Sequence, residues 1–232
     1  MSETKSFFQL TGRNREHLAA WSDHCELHRE LIAPLQALCE RGREVGLDIS
    51  VASGFRSFER QLNIWNTKAR GERAVLDSAG QPLEMQRLDD TQKVFAILRW
   101  SALPGTSRHH WGSDFDIWDA AAVPADYCLQ LHTDEYCKGG PFSALNVWLQ
   151  EEVDAHPDDL VRTGFFRPYT VDGDGIAPEP WHLSYAPLAR RFEALCDSAA
   201  LKHLIADSDI ELKAAVLAHW DTIYTRFIAI TE

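Results

Sequence analysis

Two short stretches with strand patterning, Phe115-Asp116-Ile117-Trp118 and Trp181-His182-Leu183-Ser184-Tyr185, carry ionisable side chains among apolar ones. A charge on a half-buried strand must be paired or bound to something. A third strand-like stretch, Leu47 to Ala52, alternates apolar and polar residues and runs into the polar Ser53-Gly54-Phe55-Arg56-Ser57. The segments around these three read as helices. Pro34 suits the first turn of one helix, with Leu35, Leu38 and Cys39 inward and Gly46 at its end. A second starts near Ser57, with Phe58, Leu62 and Trp65 on one face. A third runs from Asp89 or Asp90 to Ser101, with Asp89 and Gln92 as a capping box and Val94, Ile97 and Leu98 as its stripe. Ser143 is expected to cap a helix carrying Leu145, Trp148, Leu149 and Val153. Pro187 suits another helix start. Ser208 and Glu211 form a capping box ahead of Leu217, Trp220, Tyr224 and Phe227. Between these, 71–88 reads as an excursion with a turn at Gly80-Gln81-Pro82, and 163–178 as a Gly-, Pro- and Asp-rich loop with at most one strand. Helices, then strands bearing polar residues, then helices again make an α+β fold.

Residues 1–30 read as an arm or short helix with Leu18, Ala19 and Trp21 packing, 31–190 as the core, and 191–232 as C-terminal helices packed on it. The whole makes one domain, which 232 residues suit. A chain of that length buries roughly 70% of its unfolded surface, so it needs no disulfide or metal merely to stay folded. The 23 Lys and Arg against 35 Asp and Glu leave a net charge of −12. That balance argues against a nucleic-acid partner and leaves no basic patch for an anionic membrane. No stretch approaches the ~20 apolar residues that span a bilayer. The N-terminus lacks the basic and apolar regions of a secretory signal, so the expected location is cytoplasmic. A periplasmic or wall-associated location is the alternative if a leader was removed. The five cysteines, Cys25, Cys39, Cys128, Cys137 and Cys196, include no Cys-x-x-Cys pair. They suit free thiols, with Cys128 and Cys137 the one pairing left open.

Three segments are polar where a fold alone does not require it: 53–57 with Gln61 a turn beyond, 107–116, and 179–185. Two His and one Asp from separated segments can make a three-ligand zinc site that leaves a fourth position open. His109 on a loop, Asp116 on the strand it enters and His182 on a distant strand are such a set. On an unbroken strand Glu179 and His182 face opposite sides, but Pro180 is confined to strand starts, edges or bulges, and a bend there would return Glu179 to the metal side. A carboxylate there is placed as a general base. Each residue alone has a plainer reading: a hydrogen-bonded core histidine, a turn carboxylate, a surface arginine pair, a capping serine. The joint pattern outweighs them.

That pattern, SRHHWGSDFD at 107–116, EPWH at 179–182 and SGFRS at 53–57, resembles the zinc D-alanyl-D-alanine carboxypeptidases and dipeptidases of VanY-like and VanX-like type. Order and spacing agree over roughly 47–186. The resemblance implies His109, Asp116 and His182 as ligands of one zinc ion, Glu179 as catalytic base and Arg56 as the cation near the substrate carbonyl. It makes Ser107, Ser53, Gln61 and Tyr185 candidates for holding substrate polar groups. Asp114 departs from the family, where alanine is common, and reads either as support for the metal shell or as a competing ligand. It implies a small central antiparallel sheet carrying the zinc site, flanked by helices. The expected reaction is hydrolysis next to D-alanine in a peptidoglycan peptide or precursor. The rivals are an endopeptidase of the same superfamily cutting L-Ala–D-Glu or a cross-bridge, and a non-catalytic wall-fragment binding module. Oligomeric state is not legible. Asp172-Gly173-Asp174-Gly175 lacks the remaining ligands of a calcium loop and reads as a turn. His110, His132, His156, His203 and His219 lack a ligand-like context, and Trp111 and Trp118 flank the metal motif as pocket or core residues.

Overall fold

The computed structural model describes residues 3–155 and 164–229; His156 lies outside them. Helix α1 (Glu3–Leu10) leads into a hairpin of β1 (Leu18–Ser22) and β2 (Cys25–His28). Helix α2 (Ile32–Glu44), strand β3 (Ile49–Ser53), α3 (Phe58–Ala69) and α4 (Asp90–Leu98) follow. Strand β4 (Asp114–Asp119), α5 (Thr133–Tyr136), α6 (Ser143–Leu149) and β5 (Phe165–Phe166) come next. Strand β6 (His182–Tyr185) runs directly into α7 (Ala186–Glu193), and α8 (Ser198–Asp207), α9 (Lys213–Ala218) and α10 (Trp220–Ile223) pack at the C-terminal end. Among the described residues no helix is long and apolar enough to cross a membrane.

The four-stranded sheet is antiparallel, in the order β3-β4-β6-β5. Its register places Ser53 and His182 on either side of Asp116, so one row across the sheet joins all three polar segments. Side chains alternate along β4. Phe115 and Ile117 enter a core shared with Leu35 and Leu38 of α2 and Leu145 and Leu149 of α6, which leaves Asp114 and Asp116 on the opposite face. A second core joins α3 and α4 to the C-terminal helices through Trp65, Val94, Ile97, Ile205, Val216 and Trp220. Trp65 Nε1 donates to the Glu211 carbonyl at 3.0 Å, so α3 is held from both sides.

The α+β class and the small antiparallel sheet agree with the sequence pattern. Three local expectations do not. Residues 18–28 form a hairpin rather than an arm or helix. Docking decides this, because Phe55 N–H donates to Glu26 O and His28 N–H to Gly112 O, pinning the hairpin between two polar segments. Ser143 is the first residue of α6 and makes no side-chain cap; the buried Phe142 sets the entry instead. Ser208 spends its hydroxyl on Ile205 O at the end of α8. The Glu211 amide is taken by Asn66 Oδ1, so that capping box does not form.

Candidate active site

His109, Asp116 and His182 are buried together, and one ligand atom from each lies within 4.8 Å of the others. Hydrogen bonds on the far side of each ring fix which nitrogen is free. His109 Nδ1–H donates to Gly54 O at 2.9 Å, which turns Nε2 toward Asp116 Oδ2 at 3.5 Å. His182 Nε2–H donates to Asp114 Oδ1 at 3.2 Å, which turns Nδ1 toward Asp116 Oδ1 at 3.2 Å. Asp116 Oδ1 and His182 Nδ1 are buried and make no hydrogen bond. Two orphaned acceptors aimed at one point, with imidazoles oriented by a carbonyl and a carboxylate, fit a divalent cation. The donor set, two nitrogens and a carboxylate with space beside them, suits zinc with an open position.

Electrostatics agree. Burial lowers the pKa of His182, but the hydrogen bond to Asp114 and the nearby charges of Asp116 and Asp114 outweigh it and push it up to about 9, so this spot attracts positive charge, a proton where no metal ion is bound. Burial holds His109 down to about 4, with Arg56 and His182 assisting, and keeps it neutral as a ligand must be. Asp114 is not a competing ligand. It accepts from Arg108 Nε at 2.7 Å, Ser113 Oγ at 2.7 Å and His182, and is fully buried, so its role is to hold His182.

The chain turns at Pro180 and Trp181, with His182 N–H bonded to Glu179 O at 3.0 Å. That bend brings Glu179 Oε2 to 3.5 Å from His182 Nδ1. Burial pushes Glu179 up to about 7, with Asp116 raising it further and His182, Arg56 and Lys68 opposing. The group titrates near neutrality, as a proton carrier does. Arg56 lines the same cavity, of about 470 Å³, with the three cluster residues and Glu179. Ser107 is on the cavity wall as well. Ser53 and Gln61 are not. Both accept from the Arg56 guanidinium, Gln61 at 2.9 Å and Ser53 at 3.4 Å, so they position Arg56 rather than reach the cavity. Tyr185 is also away from the cavity, its ring packed on Phe165 at 5.2 Å, because it ends β6 on the far side of the sheet row.

Residues 24–188 match the family model described as VanY: D-alanyl-D-alanine carboxypeptidase. The chain belongs to this family. An uncharacterized protein of Haemophilus influenzae is 47% identical over 98 residues, 40% of this chain and 67% of that protein. A D-alanyl-D-alanine carboxypeptidase of Enterococcus faecalis is 29% identical over 154 residues, 65% of this chain and 45% of that protein. VanYB in complex with D-alanine-D-alanine superposes with a TM-score of 0.51 at 23% identity, covering 82% of this chain and 89% of that one. A zinc complex of a mutant vancomycin-resistance D,D-pentapeptidase VanY gives 0.50 at 22%, covering 88% and 92%. At these identities the two structures show that the fold is shared.

Within this VanY-family fold, the sequence reading missed three residues. Tyr169, from the loop before β6, lays its ring 4.9 Å from that of His182, and nothing in its Gly- and Asp-rich surroundings announces it. Arg108 joins Asp114 to Glu193 of α7 and lies 4.6 Å over Trp111. Lys68 is buried and lines the cavity; its signal was a lysine on the inward stripe of Phe58, Gln61 and Trp65. Trp111 stacks on Phe192 and Trp118 packs on Phe142, away from the cavity. The loop of Asp172 and Asp174 is occupied by an arginine, since Arg99 pairs with Asp172 and donates to the carbonyls of Gly173 and Gly175. His110 is spent on Arg56 O and the Gly105 amide, and all five cysteines are free thiols.

Proposed function

We propose that the protein is a zinc peptidase that hydrolyses the bond next to a C-terminal D-alanine in peptidoglycan stem peptides or their precursors. One zinc ion per chain would be held by His109, Asp116 and His182. The observation that carries this reading is the convergence of their three ligand atoms on a cavity that Glu179 and Arg56 also line. Zinc held there supplies Lewis-acid polarisation of the scissile carbonyl and acidifies water. Glu179 takes the proton of the attacking water on its carboxylate and returns it to the departing amine. Arg56, held by Ser53 and Gln61, faces the negative charge that grows on the carbonyl oxygen. Ser107 offers its hydroxyl to a substrate polar group from the cavity wall.

The test pairs metal content with turnover. The purified protein is expected to hold about one zinc per chain and to release D-alanine from a pentapeptide ending in D-Ala-D-Ala. Glu179→Ala should keep the zinc and lose at least ~10²-fold in kcat, the scale of a general base. Zinc with release of larger fragments only would favour the endopeptidase, and zinc with no cleavage a wall-fragment binder. Absence of zinc after reconstitution would overturn the ligand assignment.

A further inference from the structure

Lys68 stands in the last turn of α3, nearly as buried as the Trp65 it follows on the same stripe. Its ammonium donates to Ser101 Oγ at 2.7 Å. Among the described residues no carboxylate pairs with it. An ammonium has three protons to give, so two remain. Ser101 accepts from Lys68 and keeps its own hydroxyl proton to donate. Both line the active-site cavity, among Ile64, Leu98 and Trp100, with the exposed Arg73 beside them.

A buried cation without a paired carboxylate is costly, and burial together with the charges of Arg73 and Arg56 holds Lys68 down to about 8 against the pull of the Glu179 carboxylate. Of the cavity's other cations, Arg108 is paired with the carboxylates of Asp114 and Glu193, and Arg56 gives its two terminal nitrogens to Gln61 and Ser53, its buried Nε having no partner among the described residues. Beyond Ser101, Lys68 therefore has two protons left on the cavity wall and, among the described residues, no acceptor that receives them, which is the arrangement that a bound anion completes. The neighbouring apolar walls suit a small aliphatic group next to that anion.

We propose that Lys68 and Ser101 form a carboxylate seat in the substrate cavity, separate from the metal cluster and from Arg56. The seat rests on the peptidase reading above, which supplies peptides as the ligand class. Such a peptide offers two kinds of carboxylate: its free C-terminus, or the free carboxylate of an internal acidic residue. The seat decides which chains the cavity accepts by holding one of them.

Three peptides separate the sources: L-Ala-γ-D-Glu-L-Lys-D-Ala-D-Ala, its C-terminal amide, and its form amidated at the D-glutamate carboxylate. Each is assayed with zinc-loaded wild type, Lys68→Met, Lys68→Arg and Ser101→Ala. Lys68→Met should raise KM for the parent peptide at least about tenfold, the scale of a lost charge-assisted hydrogen bond, with kcat changed far less. Lys68→Arg should recover part of that loss, and Ser101→Ala should show a smaller one. Amidating the carboxylate that sits on Lys68 should cost wild type about the same factor and cost Lys68→Met nothing more. The amide that shows this non-additivity names the source. Independent, additive effects of both amidations and of Lys68→Met would overturn the seat, as would a fall in kcat at constant KM. If wild type releases no D-alanine, the peptidase reading fails. The seat is then judged by calorimetric titration with the same three peptides, where equal affinities for wild type and Lys68→Met overturn it.

Discussion

His182 is gripped from both sides, by Asp114 on Nε2 and beside Asp116 on Nδ1. Because Asp114 sets the tautomer, its effect should appear in metal affinity before it appears in fold. Asp114→Asn keeps the shape but removes the charge, and is expected to weaken zinc binding about 10–100-fold in a chelator competition titration. Undiminished affinity would mean that the Gly54 carbonyl and sheet register alone orient the ligands. Glu179 gives a second prediction. Burial raises its pKa to about 7, and a general base works only when ionised. Turnover should therefore rise with pH along an acid limb lying at or below about 7, lower when a divalent cation adds its own field. Glu179→Gln should erase that limb in the residual rate. His109, Asp116, His182 and Glu179, which the structure brings to one cavity, stood out in the sequence through residue types at particular spacings, and Arg56, on the same cavity, through the family resemblance. Lys68 and Tyr169 did not stand out. Lys68 left one trace, a lysine on the inward stripe of its helix, but which helix face and which loop meet the cavity is set by tertiary packing, and Tyr169 left no trace at all.

The elements act by bringing three polar segments into one row, and a glycine shows how tightly they are joined. Gly112 ends the turn that carries His109, at φ +70°. A Cβ there would lie 2.6 Å from Leu18 Cδ2 and 2.9 Å from His28 N, inside the β1–β2 hairpin. Gly112→Ala should cost about 2–4 kcal/mol in urea unfolding, from the left-handed backbone and the clash together. Gly46 has φ +89° but open space around it, so Gly46→Ala should cost only about 1–2 kcal/mol. Equal losses at the two positions would mean that the hairpin yields and does not brace the histidine turn. The helices with strong stripes and the strands around Asp116 and His182 were legible because burial and period agree there. The hairpin was not, since Leu18-Ala19-Ala20-Trp21 suits a helix locally and becomes a strand only by docking on Gly54 and Gly112. The cap expected from Ser208 and Glu211 was lost to partners far along the chain, Asn66 among them.

At the scale of the molecule, burying neutral histidines makes the fold sensitive to acid. Burial lowers His17 to about 4, with His28 assisting, and lowers His28 to about 4 and His110 to about 3. Their ordinary value is 6.5. As pH falls below 6.5 the unfolded chain takes up these protons first, so stability is lost progressively down to about 4, and to about 3 for His110. The site groups nearly cancel in that window. His109 falls to about 4 and adds to the loss, whereas Glu179 is raised to about 7 and so gains stability as pH falls toward its ordinary 4.5. His182, raised to about 9, stabilises fully below 6.5 and loses that contribution only as pH rises, so it does not offset the acid loss. The net is three imidazoles, each worth on the order of 1–3 kcal/mol after solvent screening, against a total stability of about 5–15 kcal/mol. Urea unfolding of the zinc-free protein should therefore show a clear drop from pH 7 to pH 5, with uptake of about two to three protons on unfolding. His110→Gln can still donate to Arg56 O and accept from the Gly105 amide. It should lower stability at pH 7 and flatten the slope by about one proton. A slope indistinguishable from wild type would show that His110 takes up its proton without unfolding. The acid loss would then belong to the pair His17 and His28, whose rings lie 5.3 Å apart behind the histidine turn.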